Sequence, residues 1–177
     1  MSEIILKNGE ILTIRRAAPS DAEALLSYLK IVGGESDNLL FGAEGVAYAI
    51  EQERDLLGKL AEAKTSAMFI GTVGDRVVSV VNLNAPTRAR TAHTSEIGVS
   101  VLRSYWNQGV ASAMLEHLVA FARSTGILKV IHLSVRCDNV RAVHVYEKLG
   151  FVHIGTYERY MQIDGAFIDV FLMNLYL

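Results

Sequence analysis

The order of elements between residues 99 and 151 constrains this chain more than any other feature of its sequence. A β-like run ends near Val101, a turn containing Gly109 opens a helix with apolar residues three or four apart, and a second β-like run follows at 129–135. Because a whole helix separates the two strands, we expect them to be parallel neighbours joined by one crossover. A second helix, capped at Asn139, follows directly.

Strand and turn patterns on both sides of this crossover predict hairpins. Gly74 and Asp75 separate two β-like runs, and Asp164 with Gly165 separates two more near the C-terminus. Strands are predicted at residues 11–15, 68–73, 76–83, 95–101, 129–135, 152–162 and 166–175. Two helices are predicted between the first and second of these strands. A mixed sheet with one parallel pair and helices in the connections is an α+β layout, unlike a doubly wound dinucleotide fold.

Composition sets the broad class of the protein. The chain has 177 residues, of which 51% are hydrophobic and 20% charged, as expected of one globular domain over 1–177. No apolar run approaches the ~20 residues of a membrane span and no secretory signal is expected, so we predict a cytoplasmic protein without membrane contact. The net charge of −2 disfavours nucleic-acid binding. The single cysteine, Cys137, excludes an internal disulfide, and no base motif adjoins it to make it a nucleophile.

The turn at residues 106–112 has the composition of an anion-binding loop. It reads Trp-Asn-Gln-Gly-Val-Ala-Ser and leads into a helix, whose first backbone amides have no partner within the helix and point outward. A glycine turn also occurs in ordinary strand-to-helix connections, so this motif alone leaves both interpretations open. The chain contains neither the P-loop motif nor the full Gly-x-Gly-x-x-Gly dinucleotide motif.

Two segments together resemble motifs of the GNAT superfamily of acetyl-CoA-dependent N-acetyltransferases. The first has Gly109 and Ala111 in the family's places, although Trp106 stands where Arg or Gln is usual. Tryptophan there is familiar in the branch that resembles ribosomal-protein (Rim-type) acetylases. The second and more specific segment, residues 139–151, has the family's Asn-x-Arg-Ala-x-x-x-Tyr-Glu-Lys-x-Gly-Phe pattern.

The resemblance implies both a fold and a co-substrate. The fold would be a three-layer α/β/α arrangement around a mixed, mostly antiparallel seven-stranded sheet with one parallel pair and a C-terminal β-hairpin. Acetyl-CoA would bind with its pantetheine between the two parallel strands, and no metal ion is required. The residues implied in its binding are Val99, Val101, Gln108, Gly109, Val110, Ala111, Ser112, Ala113 and Asn139.

Tyr146 and Glu96 are the candidate catalytic residues. As in the family, the Tyr146 hydroxyl would stabilise or protonate the departing CoA thiolate, although a tyrosine at helical spacing is also a common core residue. Glu96 begins the strand that would line the acetyl group. It would accept a proton from the acceptor amine, directly or through one water, because an alkylammonium with a pKa near ~10.4 cannot attack. The alternation of the strand equally allows Glu96 to face solvent.

Several charged and polar residues have two interpretations each. Asn139 either contacts the co-substrate or only caps its helix. Glu35 and Asp37 lie in or beside a loop and would either attract a cationic acceptor or remain solvated. Arg136 and Arg141 would either meet a phosphate or serve as ordinary surface charges.

The predicted function is transfer of an acetyl group to a primary amine, by direct attack while both substrates are bound. The acceptor would be a small-molecule amine or a protein N-terminus. The alternative from another class is a non-catalytic acyl-CoA-binding sensor module, whose signature would be the loss of Tyr146 or of acids near the acetyl group. The apolar residues around Phe167 in the C-terminal hairpin predict exposed apolar surface and therefore a homodimer.

Overall fold

A single sheet organises the computed structural model of the protein, which describes residues 1–177. Its strands are β1 (Ser2–Ile5), β2 (Ile11–Arg16), β3 (Ala67–Val73), β4 (Arg76–Asn84), β5 (Thr94–Val101), β6 (Val130–Arg136), β7 (Val152–Ile163) and β8 (Ala166–Tyr176). The helices are α1 (Ala22–Glu35), α2 (Ile50–Glu62), α3 (Val110–Ser124) and α4 (Val140–Lys148). The strand order is β1-β2-β3-β4-β5-β6-β8-β7. Only β5 and β6 are parallel, which confirms the mixed sheet with one parallel pair.

The sheet has eight strands, so the predicted number of seven is wrong by one. The strand missed by the sequence prediction is β1, which pairs with β2 from Ser2–Ile14 to Ile5–Ile11 at one edge of the sheet. Ile4 and Ile5 are adjacent in β1 and both are exposed, at 37% and 76%. An edge strand with little burial on either face leaves no alternation of apolar and polar residues in the sequence, so no period-two signal marked it.

Helices cover both faces of the sheet, as the α/β/α prediction requires. Gly71 of β3 allows α3 to approach closely, because a Cβ there would lie 2.9 Å from the sulfur of Met114. Gly71 is in register with Val101 of β5, two strands away. The next β5 residue along, Ser100, has its hydroxyl 2.9 Å from the Tyr28 hydroxyl of α1. Since successive residues of a strand point to opposite faces, α3 and α1 lie on opposite faces.

The parallel pair of strands is short, and this shapes the centre of the molecule. β5 and β6 are paired only from Thr94–Val130 to Glu96–His132. Beyond that point β5 stays paired with β4 and β6 stays paired with β8, so the two strands separate. We call the opening between residues 97–101 and 133–136 the wedge. No helix of the protein combines the length and the apolar character that crossing a membrane requires.

Candidate active site

The turn before α3 presents unbonded backbone amides. Asn107 and Gly109 have positive φ, 62° and 94°, and Gly109 is the N-cap of the helix. The amides of Val110, Ala111 and Ser112 donate to no group of the protein, and they lie at the positive end of the helix dipole. A Cβ added at Gly109 would meet no atom within 4 Å, so the space in front of the turn is open. We call residues 106–112 the cradle.

Among the residues implied in acetyl-CoA binding, Ala113 has a backbone amide that is already bonded within the protein, whereas Gln108 does not. The Ala113 amide donates to the Gly109 carbonyl at 3.1 Å, so it belongs to the first turn of α3. The Gln108 carbonyl accepts the Lys7 amide at 3.5 Å and the Gln108 Oε1 atom is buried without a hydrogen-bond partner, but the Gln108 amide itself donates to no protein group. The free amides of the helix are therefore those of its first three residues.

The edge of β5 that borders the wedge keeps backbone groups available. The Leu102 amide donates to the Val78 carbonyl of β4 at 2.9 Å. In an antiparallel pair, the backbone groups directed at the partner recur at every second residue, so those of Val99 and Val101 point into the wedge. The Val101 carbonyl accepts the indole N–H of Trp106 at 2.8 Å. Both backbone groups of Val99 and the Val101 amide remain for a ligand.

Trp106 connects the cradle with the end of β5 and with α4. Besides its hydrogen bond to Val101, its ring lies under the guanidinium of Arg103, 5.5 Å from the centroid, and under that of Arg141 on α4, at 6.0 Å. Arg141 forms no salt bridge with a carboxylate, so its charge is free beside the cradle. The sequence did not predict these contacts of Trp106. Its only indication was that Trp106 stands where the family usually has Arg or Gln.

A side chain caps the N-terminus of α4, whereas the N-cap of α3 is a glycine without one. The side-chain oxygen of Asn139 accepts the Ala142 amide at 3.3 Å, which is the structural alternative for this residue. Its amide nitrogen donates to no protein group. Asn139 is thus a helix cap whose side-chain nitrogen still offers two N–H donors.

Tyr146 is a buried residue of α4 with an unusual phenol. It is 8% exposed and packs edge-to-face on Phe151, with the ring centroids 5.6 Å apart. Burial raises the pKa of the Tyr146 phenol to about 12. The hydroxyl therefore stays protonated across the physiological pH range and keeps an O–H that can donate a hydrogen bond.

Glu96 lies where β5 and β6 begin to separate. Its backbone is in register with Asn84 of β4 and His132 of β6, and its side chain is exposed. Counting by twos from Ser100 places Glu96 on the face that carries α1. The Glu96 side chain faces solvent and also borders the wedge. The position is therefore compatible with both interpretations, a solvent-facing strand residue and a base beside the acetyl group.

Glu35 and Asp37 form part of a connection across the mouth of the wedge. The Glu35 carboxylate accepts the Arg103 amide at 2.6 Å, and the Glu35 carbonyl accepts the Arg103 guanidinium. The Asp37 carbonyl accepts Arg136 at 2.9 Å, and Arg136 also pairs with Asp138 at 2.7 Å. Arg103 follows β5 and Arg136 ends β6, so the segment after α1 bridges the separated strand ends. We call residues 35–37 the strap.

Cys137 is disfavoured as a nucleophile. Its pKa is raised by burial first and then by the negative charges of Asp169 and Asp138, so the thiolate is scarce. Its amide donates to the Asp169 carbonyl at 3.1 Å, which gives it a structural role beside β8. No group of three or more His, Cys, Asp or Glu side chains is arranged to hold a metal ion.

Comparison with known families agrees with this geometry. The model of the Acetyltransferase (GNAT) family matches residues 37–151, which include the strap's Asp37, the wedge, the cradle and α4. The match spans more than half of the chain, and the chain therefore belongs to the GNAT family of acetyltransferases. The family resemblance inferred from the two motifs is confirmed, as is the enzyme class.

Individual relatives extend this result. A GNAT-family acetyltransferase from Streptococcus pneumoniae superposes with a TM-score of 0.92 at 34% identity, covering 94% of this chain and 99% of that one. The L-amino acid N-acetyltransferase AaaT of Escherichia coli is 28% identical over 115 residues, 65% of this chain and 71% of AaaT. The N-alpha-acetyltransferase RimI of Mycobacterium tuberculosis is 34% identical over 76 residues, 43% of this chain and 44% of RimI.

One solved structure of the same fold contains the co-substrate. YncA from Salmonella typhimurium, described with its cofactor acetyl-CoA, has a TM-score of 0.81 and 17% identity, and the match covers 94% of each chain. At this identity the likeness concerns the fold.

Proposed function

We propose that the protein is an N-acetyltransferase that uses acetyl-CoA to acetylate a primary amine, with both substrates bound together. The observation that carries this proposal is the row of free amides at Val110, Ala111 and Ser112 beside an opening in the sheet. A CoA thioester has an anionic pyrophosphate, which the cradle could bind, and an extended pantetheine chain, which the wedge could hold. The acetyltransferase family of the chain supports the same co-substrate.

Different residues of the chain would bind different parts of acetyl-CoA. The free amides of α3 would bind the pyrophosphate, and the unpaired guanidinium of Arg141 adds positive charge next to them. Val99 would bond the pantetheine amides through its N–H and C=O, as a neighbouring strand would. The Asn139 side-chain nitrogen would supply further N–H donors.

Two backbone or side-chain groups would act on the reacting atoms. Glu96 would take a proton from the ammonium, directly or through one water, because only the neutral amine has a lone pair for attack. The amine nitrogen then bonds to the thioester carbonyl carbon, loses its second proton to solvent, and the carbon–sulfur bond breaks to leave the amide and the CoA thiolate. An amide of β5 near Val99 would donate to the carbonyl oxygen while it carries negative charge. Cys137 has no part in this sequence, which needs no acyl-enzyme.

Tyr146 would stabilise the departing thiolate by hydrogen bonding rather than by full proton transfer. Its pKa of about 12 lies above the value of ~8.5 typical of a thiol, so complete transfer from the phenol to the thiolate is uphill. A strong hydrogen bond from a neutral phenol to the anionic sulfur lowers the barrier without moving the proton. The sulfur would later be protonated from solvent.

The acceptor would approach from the face that carries Glu96 and the strap. Relatives act on different amines, since AaaT is named for L-amino acids and RimI for N-alpha-acetylation. The Glu35 carboxylate is bonded to Arg103, which leaves the exposed carboxylate of Asp37 as the strap's group for attracting a cationic acceptor.

We also propose that residues 1–177 act as one N-acetyltransferase domain in the cytoplasm and that two copies associate. A single sheet and one core cluster of 33 residues support the single domain. Exposed apolar side chains on β7 and β8 support a homodimer; they are Val152, Tyr157, Tyr160, Phe167 and Tyr176. Light scattering of the purified protein tests the dimer, and a monomer at micromolar concentration would contradict it.

Titration calorimetry with acetyl-CoA, followed by an amine panel with detection of released thiol, tests the proposed function. Saturable binding with amine-dependent release of CoA is the expected result. Binding without release for any amine would instead support a non-catalytic acyl-CoA sensor. Absence of binding would contradict the assignment of the cradle and the wedge.

A further inference from the structure

An open groove lies on the sheet beside the wedge, on the face that α1 and α2 cover elsewhere. Those two helices pack on β4 and β3, and the neighbouring strands leave a cavity of about 310 Å³. We call it the acceptor groove. Its polar lining residues include Thr94, His132, Ser134 and Asn174, and its apolar ones include Ile154 and Leu172.

The acceptor groove adjoins the proposed base. His132 is the register partner of Glu96 across the parallel pair, and Thr94 lies two residues before Glu96 on β5. Side chains two apart on a strand, and side chains directly opposite on neighbouring strands, share a face. The Glu96 carboxylate therefore stands at the border between the acceptor groove and the wedge.

The charges around the acceptor groove favour a cation and disfavour an anion. No Lys or Arg lines it, and the Glu96 carboxylate lies at its edge. Arg136, two residues beyond Ser134 at the end of β6, is already held by both oxygens of Asp138, at 2.9 and 2.7 Å, and by the Asp37 carbonyl. A free carboxylate placed here would lose water without gaining an available cation, which costs free energy.

The shape and polarity of the other walls fit a peptide end. Ile154, set in a register shift of β7, and Leu172 of β8 offer an apolar wall. The Asn174 side-chain nitrogen donates to the Tyr176 hydroxyl at 3.4 Å, which leaves the Asn174 side-chain oxygen and the Ser134 hydroxyl to bond a neutral amide. A neutral amide has both a donor and an acceptor to match them, whereas a carboxylate has only acceptors.

We infer that the acceptor groove binds the N-terminal residue of a peptide, with an apolar side chain and a neutral amide in place of a free α-carboxylate. This inference rests on the proposed acetyltransferase function. It deepens that function by choosing, between the two kinds of amine, a protein or peptide N-terminus over a free amino acid.

Matched acceptors test the inference. Release of CoA is measured with leucine, leucinamide and a tripeptide that begins with leucine, and rates are expressed per concentration of neutral amine because an amide lowers the pKa of the neighbouring amine. We expect kcat/KM for leucinamide and for the tripeptide to exceed that for leucine by about tenfold or more. Equal or better use of leucine would overturn the inference.

A positive charge introduced into the acceptor groove provides a second test, which concerns the location of the acceptor site. Ser134 is exposed, so Ser134→Lys should fold, and Ser134→Gln is the matched neutral control. Ser134→Lys should lower the preference for leucinamide over leucine by about tenfold, whereas the control should keep it. An unchanged preference in a folded Ser134→Lys variant, checked by its melting curve and by acetyl-CoA titration, would overturn the location of the site.

These measurements distinguish a failure of the proposed acetyltransferase function from a failure of the inferred acceptor. If no amine releases CoA although acetyl-CoA binds, the proposed enzymatic function fails and the inference fails with it. If CoA is released but leucine is preferred, only the choice of acceptor is wrong.

Discussion

The cradle and the acceptor groove are built from different parts of the chain. The cradle consists of main-chain amides at Val110, Ala111 and Ser112, held by a turn that needs positive φ at Gly109. The acceptor groove consists of side chains from β5, β6, β7 and β8 that come together only through strand register. The first can persist through many side-chain changes, whereas the second changes with each one. One fold can therefore keep its acetyl donor and vary its acceptor.

The most severe test of this difference is to put a side chain and a charge into the cradle. Gly109→Asp should weaken acetyl-CoA binding by more than about 100-fold, because a carboxylate would face the bound phosphates and the residue would be strained at a φ of 94°. Calorimetric titration of the folded variant measures the effect. Gly109→Ala is the matched control, since it carries the strain without the charge and should lose much less affinity. Normal binding by the Asp variant would refute the cradle.

Removing the proposed base should affect chemistry with the cradle intact. Glu96→Gln should lower kcat/KM by about 100-fold near neutral pH. The deficit should shrink as pH rises, because a larger fraction of the amine is then neutral without help. A pH series with an identical acetyl-CoA dissociation constant for both proteins would support this role. A deficit that stays constant with pH would contradict it.

Tyr146→Phe should separate leaving-group stabilisation from binding. We expect kcat to fall about tenfold while acetyl-CoA affinity changes little, because only one hydrogen bond to the departing sulfur is lost. The change keeps the ring and its packing on Phe151, so stability should be nearly unaffected. Steady-state kinetics together with a melting curve check both statements. Unchanged turnover would remove Tyr146 from the mechanism.

The smallest effect is expected outside both regions, at a carboxylate that serves neither. Glu53 of α2 is 2% exposed, and burial raises its pKa above the usual value. A raised carboxyl pKa means that the folded state holds the proton more tightly, so this contribution to stability is present at low pH and is lost as pH rises through the folded pKa. Glu53→Gln should raise the Tm at pH 7 by a few degrees, and the difference should shrink as pH falls through the raised pKa of Glu53 and vanish below the ordinary glutamate value of ~4.3.

The pH dependence of this difference is the measurement that identifies the cause. Thermal melts of both proteins at pH 7 and at pH 4 give it directly. An equal shift at both values would point to packing rather than to ionisation. Kinetics of Glu53→Gln should match those of the natural chain, which makes it a control for the catalytic variants.

Sequence reasoning was strong where structure depends on local order. The crossover from β5 through α3 to β6, and the hairpin at Asp164 and Gly165, follow from periodicity and turn chemistry over short spans. The glycine turn at Gly109 likewise carries its own signal. These features need no knowledge of distant residues.

Features formed by distant residues left no such signal. The hydrogen bond between Glu35 and Arg103 joins positions 68 residues apart. The sequence therefore did not show that the Glu35 carboxylate is already bonded within the protein. The acceptor groove needs Ile154 to meet His132 through two strand pairings, one with a register shift. The edge strand β1 lacked a buried face and therefore a periodic pattern.

The short contact between β5 and β6 also has a thermodynamic consequence. Two parts of the sheet, β1–β5 and β6–β8, share only three residue pairs of backbone pairing, and this junction is the natural line for local opening and amide exchange. A ligand bonded to Val99 and seated between the strands adds its binding free energy to the folded state, about 2.7 kcal/mol at a hundred times its dissociation constant. The persistence of the folded chain is thus linked to the supply of its acetyl donor.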